Sequence, residues 1–489
     1  MKSLEKWQII SFISRAVAMS FGIVQSFIIL RILSVGEWGI IQLVVSIGSA
    51  LGIYQHLGLA SASNREIAAS EKKTDVFKIF VTSVSVRYLV TIPLSIGLFL
   101  ASPKIAQTYG FPEMLNPLRI FAGIIFLQGI QAILNAVISG TKRFKELFIF
   151  QAVIALASVI IYVPLVYKYK IMGFFYANFI HEFLKSVTLL IVAFKPYMEK
   201  LTLPTKKEFI TIFRDLFSLG MSIYIVKILV INWEKAGANL LGFVKDAEIL
   251  GIYSFALLYA KKLMHVSDAI TDVNLPVFSE KYVKNVKEFK SMFAQNFNRV
   301  YAMILFFAMS AVYWAYELIT VLIGSDKYND ALPLLPPLVF AFIFFSLINI
   351  VKSSLAIPAK LVKEMILGFV IMFVSTLGIY MFGRELLAPT QAMSLGMLVG
   401  SFLGFGYLTF LLQRKLKFRF IDKTHVLLLV QAMVISYMGH VQSFYVKLAA
   451  YLVFIGFYMW SLLIAKYTSV NEIKTAVVKS TEFVKRKKK

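Results

Sequence analysis

Apolar stretches, each about the length of a membrane span, follow one another along this chain, with only short polar connections between them. A helix needs roughly 20 mostly apolar residues to cross a hydrocarbon layer ~30 Å thick. Only helices and closed barrels satisfy their own backbone there. About fourteen stretches of that length fit, near 9–32, 38–60, 77–101, 117–139, 147–167, 171–194, 213–232, 247–272, 295–323, 331–356, 363–386, 388–413, 423–440 and 443–466. Hydrophobic residues fill 59% of 489 positions and mean hydropathy is +0.76, more apolar surface than a water-soluble core can hide. The chain is predicted to be an all-α polytopic membrane protein. Its short connections leave no room for a soluble catalytic domain, so an enzyme is not expected.

The net charge of +25 could suggest nucleic acid, but its distribution argues for topology. Alternate connections are rich in Lys and Arg: Arg65, Lys72 and Lys73; Lys142, Arg143 and Lys145; Lys281 to Lys290; Arg414 to Arg419; and the tail from Lys466 to Lys489. The intervening connections carry little beyond Lys104, Lys168, Lys170, Lys245, Lys327 and Arg384. Short-loop bias of this kind orients a membrane protein. It places both termini in the cytoplasm of a multi-pass protein of the plasma or inner membrane, with membrane lipids rather than nucleic acid as neighbours. Met1–Lys6 looks like the basic start of a signal peptide, yet Arg15 interrupts the apolar run, so an uncleaved first span is expected.

The chain also echoes itself. Placing Gly39 on Gly251 aligns Trp38 with Leu250 and Ile40 with Ile252. Gln128, Gln131, Asn135 and Ser139 lie on one helical face of the fourth stretch, and Ser346, Asn349 and Ser353 repeat that spacing on the tenth. The expected organisation is two six-helix halves, 1–195 and 207–415, related by a parallel pseudo-two-fold. A terminal helix pair, 416–467, and a basic cytoplasmic tail, 468–489, complete it. Transporters built from such repeats bind substrate between them and work by rocking.

Charges within the apolar stretches point toward chemistry, since ionisable groups at membrane depth are costly and favour wet cavities. Arg15, Arg87, Lys185, Lys227, Lys261, Lys262 and Lys352 outnumber Glu182, Asp268, Asp272 and Glu317. Arg15 shares a small polar face with Ser11, Gly22 and Ser26, and Arg87 shares one with Ser83 and Thr91. An Arg fork matches phosphate oxygens, so a cleft lined by Arg15, Arg87 and Lys227 would suit a pyrophosphate. Gln128, Gln131, Asn135 and Asn349 would offer hydrogen bonds to a glycan. Lys261, with His265, Asp268 and Asp272, lies on one face that is either the inner mouth of the cleft or the solvated end of a long helix. His181, Glu182 and Lys185 make either a neutralised structural pair or a proton relay. Zero Cys and five scattered His give no metal constellation. No nucleotide-binding glycine loop appears. No cofactor is expected, and coupling to H+, Na+ or the membrane potential stays open.

The run Phe27-Ile-Ile-Leu-Arg31-Ile-Leu-Ser-Val-Gly36-Glu-Trp-Gly39 resembles the first-span exit of the polysaccharide flippases in the multidrug/oligosaccharidyl-lipid/polysaccharide exporter superfamily. Gly58 to Ala68, Gly140 to Lys145 and Trp233 to Gly242 look like further matches, in the family's order and spacing. The resemblance covers essentially the whole chain and departs near Glu234-Lys235, where an Asp is more usual. It implies a V-shaped carrier of fourteen helices that moves an undecaprenyl-pyrophosphate-linked oligosaccharide to the outer leaflet by alternating access, for surface polysaccharide biosynthesis. It also suggests contact with a polysaccharide polymerase or glycosyltransferases. A lipid II flippase shares nearly every feature. A multidrug/cation antiporter of the superfamily fits less well, because it usually has about twelve spans and an acidic cavity.

The topology is directly testable, because the chain has no native Cys to interfere. Single Cys residues placed between Lys142 and Lys145 or in the tail should react with a membrane-impermeant thiol reagent only after the cells are opened. Labelling of intact cells at either place would refute the orientation.

Overall fold

The computed structural model describes residues 20–70, 73–196, 201–262, 278–440, 443–465 and 467. Among them the chain is helical throughout, in the order α1 Ser20–Ile32, α2 Val35–Gly52, α3 Leu59–Ala69, α4 Lys73–Tyr109, α5 Leu115–Gly140, α6 Phe144–Phe194, α7 Lys206–Leu241 and α8 Ala247–Lys262. It continues with α9 Val286–Tyr313, α10 Ala315–Ile323, α11 Leu335–Val351, α12 Val362–Gly383, α13 Pro389–Leu416, α14 Lys423–Tyr437 and α15 Phe444–Ile464. Within the described residues, each predicted span falls on one of these helices or runs over two of them. Eight of the described helical segments are long and apolar enough to cross a membrane, and nine if the bent pair α9 and α10 is one span.

Two adjoining spans share one helix, and two others are interrupted. The fifth and sixth are the two arms of α6, which turns back at Lys170 (φ 51°, ψ −122°). Gly173 sits so close to Leu165 there that a Cβ would lie 2.0 Å from its carbonyl oxygen. The ninth bends by 66° between α9 and α10. The second is broken between α2 and α3, where Leu57 and Gly58 have φ of 45° and 69°. A Cβ on Gly58 would meet the Gly220 carbonyl of α7 at 2.2 Å. The positive φ and the close backbone approach both demand glycine.

Two compact units emerge, the first running to Phe255 and taking in Thr320–Tyr328, the second comprising Ala256–Ile319 and the chain from Asn329 onward. This partition reflects compactness and differs in kind from the repeat proposed from the sequence, which concerns equivalence of helices. In the first unit, α3, α4, α5, α6 and α7 enclose Leu59, Ile79, Ile133, Leu134, Leu189 and Leu216. Phe80 packs edge-on against Phe194 at 4.6 Å. In the second, α12 and α13 approach through small residues. Gly396, Gly400 and Gly404 recur every four positions, and a Cβ on Gly400 would lie 2.1 Å from Thr376 Oγ1. Such surfaces let helices meet closely where lipid supplies no hydrophobic drive.

Polar ties fix the helix ends. Thr205 caps α7 together with Glu208. Lys78 Nζ on α4 donates to Glu208 Oε1 at 2.5 Å, and this hydrogen bond is the main cause that lowers the Glu208 carboxyl from 4.5 to about 2. A carboxyl lowered on folding stabilises the fold above its unfolded value, and that contribution fades as pH falls through the folded one. Thermal unfolding of the purified protein should therefore lose this tie between pH 4.5 and about 2, and Glu208→Gln should flatten that acid limb. At neutral pH, Gly58→Ala should destabilise by about 1–3 kcal/mol through backbone strain. An unchanged midpoint would show that the break at Gly58 is not required.

Candidate functional site

Arg87 lies in α4, fourteen residues on from Lys73, and is completely shielded from the surface. The stripe Ser83, Arg87 and Thr91 faces the broken second span, and every member finds something there. Ser83 Oγ and Ser63 Oγ of α3 are 2.7 Å apart. Thr91 Oγ1 donates to Gln55 Oε1 at 2.8 Å. Arg87 Nη2 lies 3.3 Å from His56 Nδ1. A guanidinium can only donate, so Nδ1 of His56 accepts and its ring proton sits on Nε2.

The break between α2 and α3 makes this arrangement possible. A continuous helix would have kept the Tyr54 carbonyl for itself. Here it accepts from the Tyr224 hydroxyl of α7 at 3.0 Å. Three residues further along α7 comes Lys227, within electrostatic range of both Arg87 and His56. Two cations thus converge on a neutral imidazole. Among the described residues no carboxylate pairs with Arg87, and its Nε and Nη1 have no hydrogen-bond partner. Irregular backbone and bare donors at membrane depth are tolerated where they line a binding cavity. The arrangement leaves two N–H groups of Arg87 without a hydrogen-bond partner beside a second positive charge.

The remaining sequence candidates have different fates. Arg15, His265, Asp268 and Asp272 lie outside the described residues. Gln128 and Asn135 are half-buried on α5. Gln131 is buried and spent on α6, its Nε2 donating to the Glu182 carbonyl at 3.0 Å and to Ser186 Oγ at 2.9 Å. Glu182 pairs with Lys185 at 3.4 Å, and His181 Nδ1 lies 3.7 Å from the other Glu182 carboxylate oxygen, so all three groups of that cluster come together. In the second unit, Asn349 Oδ1 accepts from Lys352 Nζ at 2.7 Å, just where α11 widens into a π-turn over Lys352–Ala356. Lys261 lies in the last turn of α8. Glu317 meets Lys447 Nζ at 2.8 Å, beside a cavity of about 360 Å³ that also borders Tyr313, Tyr316 and Pro336. The residues that sequence reasoning missed are His56 and Gln55. A His-Leu-Gly run inside an apolar stretch was their one signal.

The described residues contain no group of three or more His, Asp or Glu able to hold a metal ion. No curated protein matches the chain in sequence. Solved structures do. A lipid II flippase MurJ in an inward closed conformation is 14% identical with a TM-score of 0.68, covering 94% of this chain and 98% of the other. The eukaryotic MATE transporter AtDTX14 is 15% identical with a TM-score of 0.62, covering 90% and 99%. An inward-facing multidrug resistance MATE family transporter of the MOP superfamily is 14% identical with a TM-score of 0.60, covering 82% and 95%. These likenesses establish a polytopic transporter fold. A family profile described as "Polysaccharide biosynthesis protein" matches residues 28–333, more than half of the chain and the whole of the Arg87 site. The chain belongs to the polysaccharide biosynthesis protein family, within a fold shared by flippases and transporters of that superfamily.

Proposed function

We propose that the protein moves a polyprenyl-pyrophosphate-linked oligosaccharide from the cytoplasmic to the outer leaflet by alternating access. The observation that carries this reading is the buried Arg87, with two unpartnered guanidinium nitrogens and Lys227 beside it, in a chain of the polysaccharide biosynthesis family. An isolated cation in hydrocarbon is costly, and a diphosphate entering this site would pair with both. Arg15 is proposed to extend the basic lining from the first span. Gln128, Asn135, Asn349 and Lys261 are proposed to meet sugar or headgroup as the halves rock. An anion leaving a negative cytoplasm gains roughly 2.3 kcal/mol per charge per 100 mV, so the potential alone favours outward movement. A lipid II substrate would present the same pyrophosphate on a polyprenol, and the fold shared with a lipid II flippase keeps it as the second reading.

Purified protein in liposomes should flip a polyprenyl-pyrophosphate-linked oligosaccharide, measured by accessibility of the sugar to an external lectin. Arg87→Ala should slow flipping roughly tenfold or more, in line with the 1.5–3 kcal/mol typical of a hydrogen bond to a charged group. Arg87→Lys should recover part of the rate, since it keeps the charge and loses the fork. Normal flipping by a folded Arg87→Ala, Lys227→Ala variant would overturn the site. Preference for lipid II over longer glycans would favour the second reading.

A further inference from the structure

The connections poor in basic residues meet in a junction whose contacts come in matched pairs, all within the first unit. A Cβ on Gly39 of α2 would lie 2.2 Å from the Ala247 carbonyl oxygen of α8, and one on Gly251 of α8 would lie 2.0 Å from the Val35 carbonyl oxygen of α2. Gly39 and Gly251, Val35 and Ala247, and the two helix caps Ser34 and Asp246 all stand at one common offset along the chain. A second offset relates another set. A Cβ on Gly110 (φ +77°) would lie 3.2 Å from the Lys245 side chain, and one on Gly324 (φ +74°) would lie 3.8 Å from the Arg31 side chain. Contacts that map onto themselves when equivalent positions are exchanged are the signature of a two-fold axis. That axis passes between Gly39 and Gly251.

Two helix ends then exchange cations across the junction. Arg31, in the last turn of α1, donates from Nε to the Leu322 carbonyl and from Nη2 to the Val321 carbonyl, both at 2.8 Å, at the end of α10. Lys327, just past α10, returns the contact, donating to the carbonyls of Leu30 at 2.5 Å and Leu33 at 2.7 Å at the end of α1. The last carbonyls of a helix have no partner within it, and cations are favoured there by the helix dipole. Each end therefore supplies what the other lacks.

We infer that this reciprocal exchange between Arg31 and Lys327 is the latch of the outer gate, which must release before the carrier opens outward. The inference rests on the transport reading above and on the orientation given by the basic connections. The glycine contact brings backbone to backbone with almost no side chain between, and the apolar contact beside it is the Tyr109–Phe243 stack at 4.6 Å. The directional part of the closed state is its short hydrogen bonds. These are lost together once the helix ends part by a few ångströms, and water at the outer interface then satisfies the freed groups. An all-or-none closure of that kind is what a gate requires.

The test uses the chain's lack of native Cys. The Gly36 Cβ position lies 3.4 Å from Ala247 Cβ, close to the 3.5–4.5 Å usual between disulfide-linked residues. A Gly36→Cys, Ala247→Cys protein in liposomes should cross-link rapidly under mild oxidant. Adding Arg31→Ala and Lys327→Ala should slow cross-linking roughly tenfold, the shift expected when charge-assisted hydrogen bonds are lost. Arg31→Lys should restore part of the rate, because a donor returns. Equal rates in all backgrounds would overturn the latch. Oxidised protein should also stop flipping and resume after reduction, whereas flipping by fully cross-linked protein would overturn the gate. A reduced protein that flips no lipid-linked glycan tells against the substrate reading instead, and the cross-linking rates then decide the latch.

Discussion

A carbonyl or cation without a partner in hydrocarbon costs several kcal/mol, and the described structure is organised around meeting that demand. Regular helix meets it for most of the chain. Where helix stops, something replaces the lost partner. Tyr224 serves the Tyr54 carbonyl at the break in the second span. Lys170, Lys327 and Arg31 serve the ends of α1 and α10. In the sequence, Lys170 and Lys327 look like stray exceptions on the side poor in basic residues. The structure gives both a task as caps for the carbonyl end of α1, which explains how cations persist on the side where topology disfavours them.

Set against that accounting, Arg87 stands out. It sits within a span, wholly shielded, and only one of its nitrogens reaches a partner, His56. Two other buried charges, Lys447 and Glu182, are neutralised by Glu317 and Lys185. Among these residues, unmet donors are concentrated at one place, and that place faces a broken helix. Arg87 differs in this from the paired glutamates, whose lysines leave little for a ligand to supply, and that difference is what supports the proposed anion site.

Much of this was legible in sequence, and the limits have physical causes. Span positions followed from apolar length, because hydrocarbon thickness sets that length whatever the tertiary contacts. The stripe of Ser83, Arg87 and Thr91 followed from helical periodicity. Its partner did not, because His56 is presented by the break at Leu57 and Gly58, and that break depends on the close approach of Gly220 over 160 positions away in sequence. Periodicity also cannot tell a face turned to a cleft from one turned to a neighbouring helix. Gln131, on the polar stripe of α5, is directed at Glu182 and Ser186 of α6. The likeness of Gly39 and Gly251 was visible as a repeat, yet their contact needed coordinates, since a two-fold can place equivalent residues together or far apart.

Helix α2 connects the proposed anion site with the proposed latch. One end holds Gly39 in the glycine junction, and the other ends at the break that presents His56 to Arg87. Its 18 residues span about 27 Å at the usual rise of 1.5 Å each, nearly the hydrocarbon thickness, with no break between. A rigid rod pinned by backbone contact at one end cannot tilt there without displacing the other. An anion that binds Arg87 better in one tilt than in the other must shift the junction's equilibrium by that same difference. The reverse holds equally: whatever opens the junction changes the affinity at Arg87. Binding and release can therefore be coupled to gating through one helix, with no further moving part between them.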